Sequence, residues 1–207
     1  MKQLGFYIDL SSCVGCKTCE LACKDRKNLP MGVRIRRVRE YGGGTWKNQD
    51  GYLMPDGVYT YFVAAACMHC SKPACVEVCP TGAMTKNKDN GIVAIDRDVC
   101  IGCGSCIDAC PYDAPSLNEE EEKMYKCDLC MDKLAEGMNP ECVDACLQRC
   151  IKVDEVSKLQ KDYKTKLNEA APLADASLTD PSLVLRPHRY TQKPGSTNGK
   201  IINTTEL

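Results

Sequence analysis

The chain has 207 residues, with 27 Lys and Arg against 28 Asp and Glu, a formal net charge of −1, and seventeen cysteines beside only two histidines. That charge balance excludes a general nucleic-acid binder. No apolar run approaches the ~20 residues of a membrane helix, and His69 and His188 leave almost no material for a Rieske centre or a haem pair. Thiols that bind metal are not ordinary core, so the 43% hydrophobic fraction overstates the apolar inventory. The apo chain is therefore expected to fold poorly without bound metal.

Lys2 to Leu10 alternates as a strand and leads into a first thiol group, CVGCKTCELAC, which supplies Cys13, Cys16, Cys19 and Cys23. No basic segment followed by an apolar one precedes it, so no signal peptide is expected. A short helix is expected from Thr18 to Asn28. Val33 to Glu40 carries Arg34, Arg36, Arg37 and Arg39. It reads either as a half-exposed strand with a solvated charged face or as a basic edge that balances cluster charge or meets an acidic partner. Tyr41 to Trp46 (YGGGTW) reads as a glycine-rich turn without the order of a phosphate loop. Pro55-Asp56-Gly57 signals a second turn, and Val58 to Val63 a strand that delivers the chain to Cys67.

Two groups then stand close together. CMHCSKPACVEVCP supplies Cys67, Cys70, Cys75 and Cys79; CIGCGSCIDACP supplies Cys100, Cys103, Cys106 and Cys110. Each closes on Cys-Pro, and Ala83 to Asp96 between them reads as a hairpin turning at Asp89-Asn90-Gly91. This is the layout of a two-cluster ferredoxin. After an acidic run, Glu119 to Glu122, a fourth group follows: Cys127, Cys130, Cys142 and Cys146, with a short helix expected in the insert ended by Gly137 and Pro140. Ser157 to Asn168 suggests a further helix. Ala171 to Leu207 has few large apolar residues and is expected to be disordered or laid along a partner.

Tight CxxC clusters, an odd cysteine count and the missing leader oppose a disulfide scaffold. Zinc knuckles place two thiols per turn with a longer gap before the next pair; three groups here place four thiols within a few turns, which suits an iron–sulfur cube. There is no CxxCH for haem attachment. In two-cluster ferredoxins the fourth cysteine of each run binds the other cluster. That rule gives four ligand sets: Cys67, Cys70, Cys75 with Cys110; Cys100, Cys103, Cys106 with Cys79; Cys13, Cys16, Cys19 with Cys146; and Cys127, Cys130, Cys142 with Cys23. Sixteen thiolates on four cores of +2 carry about −8 in all. Cys150 is left over, as a buried inert thiol or part of a shifted set. His69 is expected to be a hydrogen-bonding neighbour. Gly104 and Ser105 are candidate donors that raise the third group's potential. Closed four-thiolate sites leave no iron open to substrate, and no CxxxCxxC radical motif is present, so the expected role is electron transfer, without catalysis.

Four thiol groups with an insertion in the fourth resemble the electron-transfer subunits of the molybdopterin oxidoreductase family. Within it, GFYIDLSSCVGCKTCELACKDRKNL, REYGGGTW and CIGCGSCIDACPYDAP are similar to the iron–sulfur electron-transfer components of anaerobic dimethyl sulfoxide reductases. Leu147 stands where the family usually has proline after the fourth thiol, and Cys150 is extra. The resemblance implies an α+β fold of two nested ferredoxin-like modules: an outer one from residues 1–30 and 116–156, an inner one at 67–115, a β-rich insertion at 31–66 and a partner-binding tail at 157–207. It implies four 4Fe-4S clusters, a molybdopterin-containing catalytic subunit that reduces dimethyl sulfoxide and related S- and N-oxides, and a quinol-oxidising membrane anchor. The Cys13 cluster would face the catalytic subunit and the Cys67 cluster the quinol. The complex would sit on the bacterial cytoplasmic membrane, at the periplasmic face through co-export. Rivals are the same relay for polysulfide, tetrathionate, nitrite or formate, a free polyferredoxin, and a zinc-bound interaction protein.

Overall fold

The computed structural model describes residues 2–206; Met1 and Leu207, the outermost residues of the first and last expected segments, lie outside them. In chain order the elements begin with β1 (Leu4–Asp9), α1 (Thr18–Arg26), β2 (Arg37–Gln49) and β3 (Tyr52–Ala65). Around the two inner thiol groups come α2 (Ala74–Glu77), β4 (Met84–Lys86), β5 (Val93–Ile95) and α3 (Ser105–Asp108). Then follow β6 (Ser116–Asn118), β7 (Lys123–Tyr125), α4 (Met131–Ala135) and α5 (Glu141–Asp144). The last elements are β8 (Ile151–Glu155), α6 (Val156–Asp162), β9 (Leu183–Arg186) and β10 (Lys200–Ile201). The fold is α+β, with small sheets and short helices.

Both faces of β1 find apolar cover. Phe6 and Ile8 lie in the main core, and Tyr7 is buried on the other face against Leu159 and Val184, with Tyr163 stacked on its ring at 3.6 Å. The strand pairs antiparallel with β8 and parallel with β9, giving the order β8-β1-β9. The tail is thus ordered, against the expectation of disorder. Its few large apolar side chains are concentrated in Leu183, Val184 and Leu185, all at or below 2% exposure, and this seats β9 in the central sheet. Farther on, Asn203 is buried, donating to the Val38 carbonyl (2.8 Å) and accepting from the Glu40 N–H (2.9 Å). The helix expected over 157–168 ends earlier, at Asp162.

The long β2–β3 hairpin replaces both expected turns. YGGGTW lies inside β2, where glycine is needed for close approach: a Cβ at Gly43 would collide with the Asn198 carbonyl oxygen. Gly44, at φ +94°, forms a bulge that shifts the register from Gly43↔Tyr59 to Thr45↔Asp56. Pro55-Asp56-Gly57 is absorbed into β3 opposite that bulge, and the backbone reverses instead at Asp50-Gly51, both with positive φ. β3 ends in buried Ala64 and Ala65, and buried Ala66 then leads into Cys67.

The β4–β5 hairpin forms as expected, and β6–β7 repeats it, with the acidic run Glu119–Glu122 as its turn. Helix α2 packs on α3, and α1 on α5. The first of these pairs joins thiol groups two and three, and the second joins groups one and four.

Candidate metal centres

Each thiol group opens with the same bend. The first sulfur accepts the backbone N–H of the residue two positions on: His69 to Cys67 (3.5 Å), Gly102 to Cys100 (3.5 Å), Leu129 to Cys127 (3.4 Å), and Gly15 to Cys13. All four donors have positive φ, from 45° to 68°. Gly15 and Gly102 adopt it freely, whereas His69 and Leu129 are held there although both are fully buried. The groups end alike as well. Cys79, Cys110 and Cys146 each sit two residues beyond a four-residue helix, with an N–H to the carbonyl three residues back. Cys23 instead lies within α1, which runs on to Arg26.

Short hydroxyl side chains add donors at i+2: Thr18 to Cys16 (3.4 Å), Ser105 with Cys103 (3.5 Å) and Thr81 with Cys79 (3.8 Å). The Ser105 hydroxyl and N–H hold Cys103 below the usual thiol range. Burial works against Cys79, but the Met84 N–H and Thr81 lower it on balance.

The fold brings thiols of distant groups together. One pocket is lined by Cys13, Cys16, Cys19 and Cys146, together with Cys150. A second is lined by Cys23, Cys127, Cys130 and Cys142. Cys75 is pushed up to about 12 by burial and then by Cys67, Cys110 and Cys70. Burial, then Cys100, Cys103 and Cys79, raise Cys106 to about 11 against its own N–H. Among the described residues no three His, Cys, Asp or Glu side chains converge on a single ion-sized point, and all seventeen thiols are free. Cys150 is buried, its sulfur 3.5 Å from the Cys146 sulfur, and it draws Cys13 below the usual thiol range despite burial.

Cations fill the space between sets. Arg36 is 2% exposed, its guanidinium 4.6 Å above the Phe6 ring, with Nη1 donating to the Ala64 carbonyl (2.6 Å). Burial alone would lower its pKa, yet Cys142, Cys19, Cys127 and Cys23 raise it on balance. Its Nη2 has no hydrogen-bond partner among the described residues, which fits an anionic occupant between these thiols. Arg39 is also buried, on the Tyr112 carbonyl (2.9 Å). The Arg34–Arg39 run is thus a basic edge turned inward at two positions rather than a solvated face. Lys126, 5% exposed, lies 3.4 Å from the Cys67 sulfur and 2.7 Å from the Cys127 carbonyl, bridging the inner and outer sets. His69 accepts the Val93 N–H at Nδ1 (3.0 Å) and stands beside the thiols as a neighbour, held neutral by burial and by Lys126 and Lys86.

Sequence reasoning passed over Lys126 and Thr179. The Thr179 hydroxyl lies 3.2 Å from the Cys70 sulfur and 3.3 Å from the Tyr112 hydroxyl. Only the adjacency of Lys126 to Cys127 signals the former; nothing local signals the latter.

Cys16 and Cys103 are the exposed thiols of the first and third groups, while Cys67 and Cys70 are buried. Cys75 and Cys110 are half-buried, and Lys126 joins Cys67 to the Cys127 group.

Residues 58–156 match the family model of a 4Fe-4S dicluster domain, and residues 10–32 that of a 4Fe-4S binding domain. The sequence is 44% identical over 207 residues to the B component of the anaerobic dimethyl sulfoxide reductase of Haemophilus influenzae, covering 100% of each. It is 45% identical over 205 residues to the component of the same name in Escherichia coli, covering 99% of this sequence and 98% of the other. The B component of the sulfite dehydrogenase of Allochromatium vinosum is 37% identical over 167 residues, 70% of this sequence and 66% of the relative.

Proposed function

The protein belongs to the family of anaerobic dimethyl sulfoxide reductase B components, non-catalytic iron–sulfur electron-transfer subunits, and from that premise we propose that it relays electrons through four 4Fe-4S clusters. Four clusters bound in the four thiol sets supply one-electron steps along a single path. The observation that supports this reading is that two pockets gather thiols from paired runs, Cys13, Cys16 and Cys19 with Cys146, and Cys127, Cys130 and Cys142 with Cys23. Cys13, Cys16, Cys19 and Cys146 form one ligand set, and Cys127, Cys130, Cys142 and Cys23 the next. Cys67, Cys70, Cys75 and Cys110 form the third, and Cys100, Cys103, Cys106 and Cys79 the fourth.

The rest of the fold serves these sites. The four N–H bends point partial positive charge at ligand sulfur, and Arg36 and Lys126 offset thiolate charge where water is excluded. Exposure of Cys16 and Cys103 supports entry and exit at opposite ends, in the order Cys13, Cys127, Cys67, Cys100 sets. The relatives' names, each one component of a dimethyl sulfoxide reductase, support a catalytic partner acting on dimethyl sulfoxide; the sequence resemblance extends this to a molybdopterin subunit that also takes related S- and N-oxides and to a quinol-oxidising membrane anchor. The complex would lie peripherally on the cytoplasmic membrane at its periplasmic face, with the outer and inner modules and the tail bounded as expected from the sequence. Among the described residues no helix is long and apolar enough to cross a membrane. Purified native complex is expected to hold about sixteen iron and sixteen sulfide per copy of this polypeptide, four cubes of four. Menaquinol should reduce it, and dimethyl sulfoxide reoxidise it. Zinc in place of iron, or about eight iron, would refute the four-cluster relay.

A further inference from the structure

Two of the groups that end on a helix, a cap and a cysteine share one more feature. The terminal sulfur accepts a backbone N–H from just beyond the group: Met84 to Cys79 at 3.4 Å and Ala114 to Cys110 at 3.5 Å. Ala114 stands four residues past its cysteine; the residue four past Cys146 is Cys150. There the contact to the terminal sulfur comes from the side chain, with the Cys150 Sγ 3.5 Å from the Cys146 Sγ. Cys150 also lines the same pocket as Cys13 and the other first-group thiols, so five sulfurs face a site for four. Its backbone is fixed at the mouth of β8, where its carbonyl accepts the Asp9 N–H at 2.9 Å. Cys146, not Cys150, occupies the post-helix position shared with Cys79 and Cys110.

Resting on the ligand sets proposed above, we propose that Cys150 is a positioning residue. Its S–H is donated to the Cys146 sulfur, takes over the role the Ala114 N–H plays at Cys110, and raises the potential of that one cluster. A coordinated thiolate carries no hydrogen, so the hydrogen in that contact belongs to Cys150. A donor to ligand sulfur favours the reduced, more negative cluster and lifts its midpoint. No ligand is exchanged and no bond is broken.

The test uses the intact complex carrying Cys150→Ala or Cys150→Ser, with iron and sulfide analysis beside an EPR-monitored redox titration. Cys150→Ala is expected to keep the full iron content and to move one midpoint, and only one, to a more negative value. Cys150→Ser, which restores an O–H donor, is expected to bring that midpoint back toward the wild type. Loss of about a quarter of the iron in Cys150→Ala would make Cys150 a ligand and overturn the proposal. Four unmoved midpoints, or a serine variant indistinguishable from alanine, overturn it equally. A wild-type complex without four clusters would instead overturn the relay itself, which the iron count distinguishes before any variant is made.

Discussion

Replacing Arg36 with methionine removes a cation from the space between the two outer thiol sets while keeping an unbranched apolar stem. The guanidinium is fully buried, has an unpartnered Nη2 among the described residues, and feels Cys142, Cys19, Cys127 and Cys23 together. A unit charge ~8 Å from a redox centre at an effective dielectric of ~20 is worth roughly 2 kcal/mol. For a one-electron couple that corresponds to roughly 90 mV. Cationic charge favours the reduced cluster, so its loss lowers the potential. In Arg36→Met the midpoints of the Cys13 and Cys127 sets should fall by roughly 50–100 mV, and those of the Cys67 and Cys100 sets by much less. Arg36→Lys, which retains the charge without the fork, should fall between. The assay is an EPR-monitored redox titration of the purified complex. Equal shifts in all four signals, or none, would refute a local electrostatic role and leave Arg36 a packing residue on Phe6 and the Ala64 carbonyl.

Two backbone and core predictions accompany it. At Gly102, with φ +67°, a Cβ would collide with the Glu122 carbonyl oxygen, whereas at Gly104, with φ +79°, it would meet open space. Gly102→Ala should therefore lose at least ~2 kcal/mol and bleed iron from the Cys100 set, while Gly104→Ala loses only about 1 kcal/mol; thermal melts of the holoprotein rank the two. Leu185 is 0% exposed in β9, so Leu185→Ala should cost about 2–5 kcal/mol. A melting temperature unchanged in that variant would return the tail to the status of an appendage.

The thiol groups were legible because ligand chemistry is written in residue type and local spacing, and the β4–β5 hairpin because Asp89-Asn90-Gly91 is a local turn signal. Even the repeated bend left a trace: Gly15 and Gly102 occupy the same place in their groups that His69 and Leu129 fill without help from composition. Other features depend on what lies across the fold. A run holding Arg34, Arg36, Arg37 and Arg39 reads as solvated unless anionic sites are known to sit behind it. Gly43 reads as a turn unless the Asn198 carbonyl is known to press on it. Three consecutive apolar residues, Leu183 to Leu185, look too few to order a tail, but one vacant edge on β1 is enough. Thr179 reaches Cys70 from 109 positions away along the sequence, a distance no local pattern spans.

Strand β1 takes both its neighbours from the far end of the sequence: Ile8 pairs with Ile151, and Phe6 with Leu183, 177 positions later. At a synthesis rate of ~5–20 residues per second, the shorter separation, from Ile8 to Ile151, lasts roughly 7–30 s. For that interval Phe6, Tyr7 and Ile8 emerge from the ribosome with nothing to pair with, and Cys13 to Cys23 wait for Cys127 to Cys146. The inner pair, Cys67 to Cys110, needs only its own stretch of sequence. Assembly in a growing cell thus acquires a direction: the middle of the polypeptide can mature early, and its two ends close last.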